Sequence, residues 1–212
     1  MSRSAEELIN YTKDKGDHSI TFGDFSLSVF KNVFPPIHPD SILLAECNDV
    51  KEGEIVLEIG SGTGIQSLVS AKRKAKKVVA IDIQHEAVIN TRFNADKHGF
   101  SNIIEARHGD LFDHVNDNER FDLILVNLPF EDHIVEKPFD IGIYDPNYAT
   151  HKRFIYNCRK HLVQDGRILL AFSSLGDIQW LESQLTLNDF KFKVIRETDR
   201  LGYKWRIYYI ES

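Results

Sequence analysis

The sequence has no long hydrophobic run and little cysteine. None of its apolar stretches approaches the roughly 20 uninterrupted apolar residues of a membrane-spanning helix. The N-terminal stretch MSRSAEELINYTKDKGD has neither the apolar core nor the cleavage site of a secretory signal. The two cysteines, Cys47 and Cys158, lie beside apolar residues, and we interpret them as half-buried thiols on separate helices, without disulfide or catalytic chemistry. We therefore expect a cytoplasmic protein with no membrane partner.

The sequence also lacks the excess of positive charge that nucleic-acid binding usually requires. It has 26 lysines and arginines against 32 acidic residues, which gives a net charge of −6. Its one dense basic run, KRKAKK at residues 72–77, lies where a predicted helix should end, and the helix dipole favours cations there. The charge balance therefore weighs against an RNA or DNA substrate.

A metal-ligand pattern is missing as well. Nine histidines are present, and His108 and His114 flank two aspartates. The spacing of four residues between histidines that is typical of a zinc-binding helix does not occur there. We predict that the protein holds no metal.

From residue 54 onward, short apolar runs alternate with helical patterns. Runs such as VVAI and LILV are apolar without alternation and rich in β-branched residues, as strands buried on both faces of a parallel sheet should be. The pattern predicts an α/β, Rossmann-like, doubly wound fold with a mostly parallel seven-stranded sheet. KFKVIRE and WRIYYIES should form an antiparallel closing pair, with the last strand reversed. A helix over KRFIYNCRKHLVQDG should end at Gly166, and RILLAFS should follow as a strand.

The N-terminal quarter has a different pattern. HSITFGDFSLSVF alternates on both sides of Gly23-Asp24, which predicts a hairpin after a short N-terminal helix. Prolines then precede Asp40 and Ser41, two good N-caps for the apolar helix ILLAE. We divide the chain into an N-terminal segment, residues 1–48, and a main domain, residues 49–212.

A glycine-rich loop, EIGSGTG, follows the first predicted strand of the main domain. Its glycines let the backbone turn sharply and approach a ligand. The dinucleotide fingerprint would need a further glycine where Ile65 or Ser67 stands. Glu58, two residues before the first glycine, would repel a pyrophosphate and attract an ammonium group. An NAD-dependent oxidoreductase is therefore the weaker alternative.

This loop resembles motif I of the class I S-adenosylmethionine-dependent methyltransferases, E/D-x-G-x-G-x-G. Glu58, Gly60, Gly62 and Gly64 match every named position of that motif. The resemblance implies that S-adenosylmethionine is the cofactor. It also implies that the whole loop contacts the cofactor, including Ser61 and Thr63 between the glycines.

The same resemblance assigns the nucleoside end of the cofactor. Asp82 ends the second strand, 22 positions after Gly60, and matches the acid that binds both ribose hydroxyls. Ile83 should pack on the adenine. Asp110 matches the acid that accepts from the adenine amino group, with the backbone of Leu111 nearby. Without the resemblance, Asp82 would be interpreted as a helix N-cap and Asp110 as a turn residue.

The tetrapeptide Asn127-Leu128-Pro129-Phe130 ends a buried strand at the sheet edge where α/β folds place ligands. Methylation of a planar amino nitrogen requires carbonyl groups that draw its lone pair out of conjugation. Asn127 offers a side-chain carbonyl, Leu128 a backbone carbonyl and Phe130 a stacking face, while Pro129 stiffens the turn. Asn127 should also border the cofactor. A plain Asn-x-Pro turn at the end of a strand is the alternative.

Two family resemblances of this tetrapeptide differ in substrate. It resembles the (N/D/S)-P-P-(Y/F/W) signature of amino-group methyltransferases, with Leu128 in place of the first proline, and its N-L-P-F form resembles the rRNA adenine dimethyltransferases. Upstream, VFPP and the following Pro-Asp-Ser resemble the HemK-type release-factor glutamine methyltransferases and the small-domain methyltransferases of rRNA guanine. In the HemK-type enzymes this stretch covers the cofactor, which implies that Phe34, Pro36 and Ser41 line the pocket.

We therefore predict an S-adenosylmethionine-dependent N-methyltransferase. We expect it to act on a protein side-chain amide or on a small-molecule amino group, and an rRNA or DNA base is the alternative acceptor. A methyltransferase-like subunit that only binds a partner is the alternative from another class. Residues 131–152 match no known pattern; they form either a substrate lid or a surface loop without a role.

Overall fold

The computed structural model describes residues 15–211, so the predicted N-terminal helix lies outside the described residues. The described part begins with an antiparallel hairpin of β1 (His18–Phe22) and β2 (Phe25–Val29), joined at Gly23-Asp24. The hairpin predicted from the alternating pattern is confirmed. Buried residues of β2 face the core and exposed ones face solvent, as the period of two requires.

The main sheet has seven strands. They are β3 (Ile55–Ile59), β4 (Lys77–Asp82), β5 (Ile104–His108), β6 (Phe121–Val126), β7 (Leu162–Ser173), β8 (Phe192–Arg200) and β9 (Tyr203–Glu211). Their spatial order is β5-β4-β3-β6-β7-β9-β8. Strands β3 to β7 run parallel, and β9 is antiparallel to both of its neighbours. The predicted doubly wound sheet with a reversed last strand is confirmed.

Five α-helices surround this sheet. They are α1 (Pro39–Cys47), α2 (Ile65–Lys72), α3 (His85–Lys97), α4 (Ala149–Cys158) and α5 (Ile178–Leu187). The central strands β3, β4 and β6 are buried except for residues near their ends, because helices cover both faces of a parallel sheet. Between residues 15 and 211, no helix has the length and apolar character needed to cross a membrane.

Two predicted boundaries are wrong. The helix expected to end at Gly166 ends at Cys158, and β7 already begins at Leu162. Gly166 lies at an irregular step of the β6–β7 ladder, where a Cβ would come within 3.1 Å of the Phe121 carbonyl oxygen. The glycine therefore permits close strand packing and does not end a helix. The second difference concerns α1, which is capped by His38 because Pro39, with fixed φ and no N–H, suits the first helical position.

The N-terminal hairpin is tied to the main domain by two buried asparagines of α3. Asn94 accepts a hydrogen bond from the Ser28 N–H (2.9 Å), and Asn90 accepts one from the Phe30 N–H (2.9 Å). Both amide groups also donate to the Ser28 carbonyl at 2.8 Å. Leu27 belongs to the same hydrophobic core as the main sheet. The division at residue 48 stays a prediction.

The basic run at residues 72–77 spans the end of α2 and the start of β4. Within it, Lys74 pairs with Glu52 at 3.1 Å and Lys77 with Glu105 at 2.7 Å. Neighbouring acids thus neutralise part of the run, which agrees with its interpretation as a helix end.

A buried arginine holds the amino-terminal edge of the sheet, opposite the strand ends that lead to the glycine-rich loop. Arg167 donates to the Asp49 carboxylate at 2.8 Å, to Glu54 at 2.9 Å and to the Asp49 carbonyl at 2.9 Å. We expect Arg167→Ala to lower the free energy of unfolding by about 2 kcal/mol, because it leaves the 14% exposed Glu54 side chain without its partner, whereas the 43% exposed Asp49 contributes little. Urea unfolding measures this change. Cofactor affinity of the folded variant should not change, and a loss of stability equal to that of the exposed control Arg196→Ala would contradict the prediction.

Candidate active site

A cavity of about 340 Å³ lies at the carboxyl ends of the parallel strands β3, β4 and β6. Its volume is in the range of small-molecule sites. The cavity is lined by these residues predicted for the site: Phe34, Pro36, Ser41, Glu58, Gly60, Ser61, Gly62, Thr63, Asp82, Ile83, Asp110, Leu111, Asn127, Leu128, Pro129 and Phe130. Positions that are far apart in the sequence therefore meet at one edge of the sheet.

The glycine-rich loop connects β3 to α2 with three residues of left-handed backbone. Gly60, Gly62 and Gly64 have φ values of +77°, +52° and +80°. A Cβ on Gly60 would lie 3.3 Å from the carbonyl oxygen of Asn127, so the loop packs directly against the predicted acceptor motif. Gly64 is not among the residues lining the cavity; a Cβ there would lie 2.9 Å from the Thr91 side chain. Its absent side chain lets α2 approach α3.

Glu58 is a buried carboxyl at the bottom of the cavity. It is 3% exposed and accepts hydrogen bonds from the backbone N–H (2.9 Å) and the hydroxyl of Ser67. Burial raises its pKa to about 8, although both bonds from Ser67 act in the opposite direction. The Thr63 hydroxyl is buried nearby without a hydrogen-bond partner in the described part of the chain. An ammonium and a carboxylate, as in a methionine moiety, are chemically suited to these two groups.

The ends of β4 and β5 carry the residues predicted for the nucleoside. The Asp82 carboxylate accepts from the Gly62 N–H at 2.9 Å and the Gln84 N–H at 2.8 Å, so its orientation is fixed. Burial raises the pKa of Asp82, and these N–H groups lower it. Ile83 is 49% exposed. Asp110 accepts from Arg153 of α4 at 2.9 Å. Two oriented acids and an open apolar surface fit a ribose and a flat ring.

The predicted acceptor motif follows β6 directly. The Asn127 amide donates to the Ser41 hydroxyl at 3.1 Å. Phe130 is 8% exposed, and its ring centroid lies 5.5 Å from that of Phe172 and 6.1 Å from that of Trp205. The motif therefore presents a polar group beside an aromatic ring that is already packed on two sides.

Residues 131–152 fold over the cavity. Two short 3-10 helices occur in this segment, and the Asp145 N–H donates to the Glu131 carbonyl at 2.8 Å, which closes the loop on itself. Asp145 also accepts from His151 at 2.9 Å in a fully buried pair. The ring of Phe139 lies 6.0 Å from that of Phe34, which lines the cavity. The segment has the position expected of a lid; its role stays a prediction.

Several residues that line the cavity could not be predicted from the sequence, among them His38, Arg153 and Trp205. Trp205 begins the reversed strand and pairs with Ser173, which brings it to the carboxyl end of β7. The antiparallel pattern predicts this strand but not its register. No sequence motif marks His38, the N-cap of α1, or Arg153 of α4, because their positions at the cavity depend on how these helices pack.

Across residues 15–211, no three or more His, Cys, Asp and Glu side chains are grouped as metal ligands. His108 instead has its Nε2 atom 2.9 Å from the Ile83 carbonyl oxygen. The two cysteines are free, on α1 and α4. The two thiols lie on separate helices as predicted; Cys47 is half-buried, whereas Cys158 is fully buried against the prediction, because it faces the hydrophobic core.

The turn after β7 contacts the acceptor motif through a glycine. A Cβ on Gly176 would overlap the Phe130 carbonyl oxygen and lie 3.0 Å from the Phe172 ring. We expect Gly176→Ala to shift Phe130, to lower the rate of methyl transfer, and to cost about 1–3 kcal/mol of stability. Steady-state kinetics with a cofactor titration measures this. Gly16→Ala is the control, since its Cβ meets nothing within 4 Å; equal effects of the two variants would contradict the prediction.

Comparison with known proteins agrees with this geometry. The methyltransferase small domain family matches residues 31–196. A candidate protein N5-glutamine methyltransferase from Methanocaldococcus jannaschii is 34% identical, over 79% of this chain and 86% of its own length. A tRNA1(Val) adenine-N6 methyltransferase from Actinobacillus pleuropneumoniae is 24% identical, over 78% and 71% of the two chains.

Solved structures share the fold. A T. thermophilus 16S rRNA N2 methyltransferase, solved with AdoMet and guanosine, has a TM-score of 0.71 and 19% identity. The match covers 92% of this chain and 50% of that one. The alignment with a ribosomal protein L11 methyltransferase from Alkaliphilus metalliredigens covers only 22% of that protein. Some relatives are therefore considerably longer than the matched region.

The fold and the matches define a class I S-adenosylmethionine-dependent methyltransferase. The chain belongs to the methyltransferase small domain family. The predicted resemblance, the enzyme class and the cofactor are confirmed. The NAD-dependent and non-catalytic alternatives are not needed to explain the site.

Proposed function

We propose that this methyltransferase transfers a methyl group to the side-chain amide of a glutamine in a protein. The observation that carries the proposal is the small open surface at the acceptor end of the cavity. Phe130 is 8% exposed and Trp205 is 1% exposed, so neither ring offers a free face. A nucleobase is usually bound by stacking on such a face, whereas a primary amide is narrow and needs only polar contacts.

The likeness to the Methanocaldococcus jannaschii relative, which extends over most of both chains, supports the same acceptor. The net charge of −6 supports it as well, since an acidic protein gains little from a phosphate backbone. The tRNA-modifying relative and the N-L-P-F form of the motif favour a second candidate, the amino group of an RNA base.

Different residues of the chain would bind different parts of the cofactor and of the acceptor. Glu58 and Thr63 would hold the methionine end of the cofactor, Asp82 the ribose, and Ile83 with Asp110 the adenine. When bound, S-adenosylmethionine would supply an electrophilic methyl carbon to the acceptor nitrogen: the N–C bond would form as the C–S bond breaks, with S-adenosylhomocysteine as the leaving group and one proton released from the nitrogen. Asn127 and the Leu128 carbonyl would accept the N–H groups of the acceptor and so localise the lone pair on its nitrogen.

The test is methyl transfer from labelled cofactor to a cell lysate divided into protein, RNA and metabolite fractions. We expect label in the protein fraction, released as labelled methylamine when the amide is hydrolysed. Asn127→Ala should lower the rate of this labelling by about 10²- to 10³-fold. A salt series excludes RNA carried along with protein, since phosphate contacts dissociate steeply as salt rises. Label confined to RNA, or protein label that yields no methylamine, would overturn the proposal.

A further inference from the structure

The first turn of α1 places a buried acid beside the acceptor motif. His38 occupies the N-cap position of α1, although its side chain makes no capping hydrogen bond. Asp40 and Ser41 therefore lie inside the first turn of the helix. Asp40 is 7% exposed and lines the cavity. Its carboxyl accepts the Ser41 N–H at 2.7 Å. The sequence pattern predicted this acid only as a helix N-cap.

The Asn127 amide is hydrogen-bonded to this turn. Its nitrogen donates to the Ser41 hydroxyl at 3.1 Å, so the nitrogen of the amide, with its two N–H groups, faces α1. Asp40 precedes Ser41 in the same turn and lines the same cavity, and the Asn127 side chain lowers the pKa of its carboxyl. The carbonyl oxygen, on the other branch of the same planar group, then faces away from α1.

This orientation matters because only one end of an amide can accept an N–H. If the amide turned over, its N–H groups would face the N–H groups of the acceptor and could not draw out the lone pair. A buried carboxyl needs donors, which gives the observed orientation a physical cause. Burial raises the pKa of Asp40, whereas the nearby His38, Ser41 and Asn127 lower it.

We propose that Asp40 is a positioning residue for methyl transfer, which holds the Asn127 amide so that its Oδ1 atom receives an N–H of the acceptor. This inference rests on the proposed function only in that Asn127 contacts the acceptor amino group. Cofactor binding does not depend on it, since none of the interactions described above connects Asp40 to Glu58 or Asp82.

Asp40→Asn tests the proposal. The new amide can donate to Oδ1 of Asn127, so the Asn127 amide is free to turn over. We expect kcat to fall about 10²-fold, in the range for loss of one preorganised group, while the Kd for S-adenosylhomocysteine does not change. Ser41→Ala is the matched control. It removes the hydroxyl that accepts a hydrogen bond from the Asn127 amide but leaves the Asp40 carboxyl, and it should lower kcat less than tenfold.

A side-chain swap separates positioning from a merely structural role. In Asn127→Asp alone, two carboxyls face each other, and activity should be lost. In the double variant Asp40→Asn/Asn127→Asp, the new amide donates to the new carboxylate, whose other oxygen faces the acceptor. We expect kcat of the double variant to exceed that of either single variant. Coupled residues have non-additive effects. A loss of kcat in the double variant equal to the product of the two single-variant losses would therefore overturn the proposal.

A substrate-free readout keeps the two proposals distinguishable. NMR of the Asn127 side-chain amide, identified by its absence in Asn127→Ala, should show slowly exchanging protons in the wild type and faster exchange in Asp40→Asn. If the wild-type protein methylates RNA, the proposal of a glutamine acceptor is wrong. The kcat of the same Asp40 and Asn127 variants is then measured with that RNA as substrate. Unchanged kcat in Asp40→Asn, unchanged amide exchange, or a parallel loss of cofactor binding would each overturn the role of Asp40.

Discussion

Asn127→Ala should reduce the turnover number by about 10²- to 10³-fold, the range observed when one preorganised polar group is deleted from an active site. The residue lines the cavity beside the glycine-rich loop, and its amide is held by α1. The substitution removes a hydrogen-bond acceptor, the side-chain carbonyl of Asn127, which matters most when the nitrogen lone pair of the substrate is drawn toward the methyl group. The effect should therefore appear in kcat, while the Kd for the cofactor stays constant.

Single-turnover kinetics with labelled cofactor, combined with calorimetric titration of S-adenosylhomocysteine, measures the two quantities separately. Asn102→Ala, at an exposed position outside the cavity, is the control for the loss of an amide. Turnover equal to that of the wild type would remove Asn127 from the mechanism. A comparable loss of cofactor affinity would place it in the cofactor site instead.

Glu58→Gln should weaken cofactor binding by about 10²-fold, because loss of one partner of a buried charge pair typically costs at least 2 kcal/mol. The pKa of Glu58 is about 8 in the free protein, so the carboxyl is mostly protonated at pH 7. An ammonium partner favours the carboxylate, so binding at pH 7 should release protons. Calorimetry in two buffers of different ionisation enthalpy measures this release, which Glu58→Gln should abolish.

The same shift predicts the pH dependence of stability. The folded pKa of Glu58 lies above its ordinary value of 4.5, so the folded state binds more protons between about pH 4.5 and 8. Stability of the cofactor-free protein should therefore fall through this range as pH rises, and fall less in Glu58→Gln. The control is Glu52→Gln, at a 72% exposed side chain. Parallel stability curves for wild type and Glu58→Gln would contradict the assignment.

The sequence predicted the parts of the molecule that depend on local pattern. The apolar runs predicted the strand order along the chain, and EIGSGTG predicted the loop between β3 and α2. Gly166 was misinterpreted because a glycine that ends a helix and one that permits close packing look alike in sequence. The difference depends on the Phe121 carbonyl, 45 positions earlier, and on strand register.

The cofactor half of the site was more predictable than the acceptor half. Glu58, Asp82 and Asp110 follow strands of the same sheet, so topology alone brings them together. Trp205 and Asp40 reach the cavity from the two ends of the chain, and their positions depend on how β9 and α1 pack. Pro39 shifted the start of α1 by two residues, which turned Asp40 from a predicted cap into a cavity residue.

The ion pair between Arg153 and Asp110 joins the two halves of the site. Arg153 lies on the helix that continues residues 131–152, and Asp110 lies where the adenine is expected. A displacement of that segment during acceptor entry would therefore move Arg153 relative to Asp110 and change the site where the nucleoside is expected. Thermodynamic linkage is reciprocal, so if cofactor and acceptor favour the same position of the segment, each strengthens the binding of the other by the same factor. If they favour different positions, each weakens the other by the same factor.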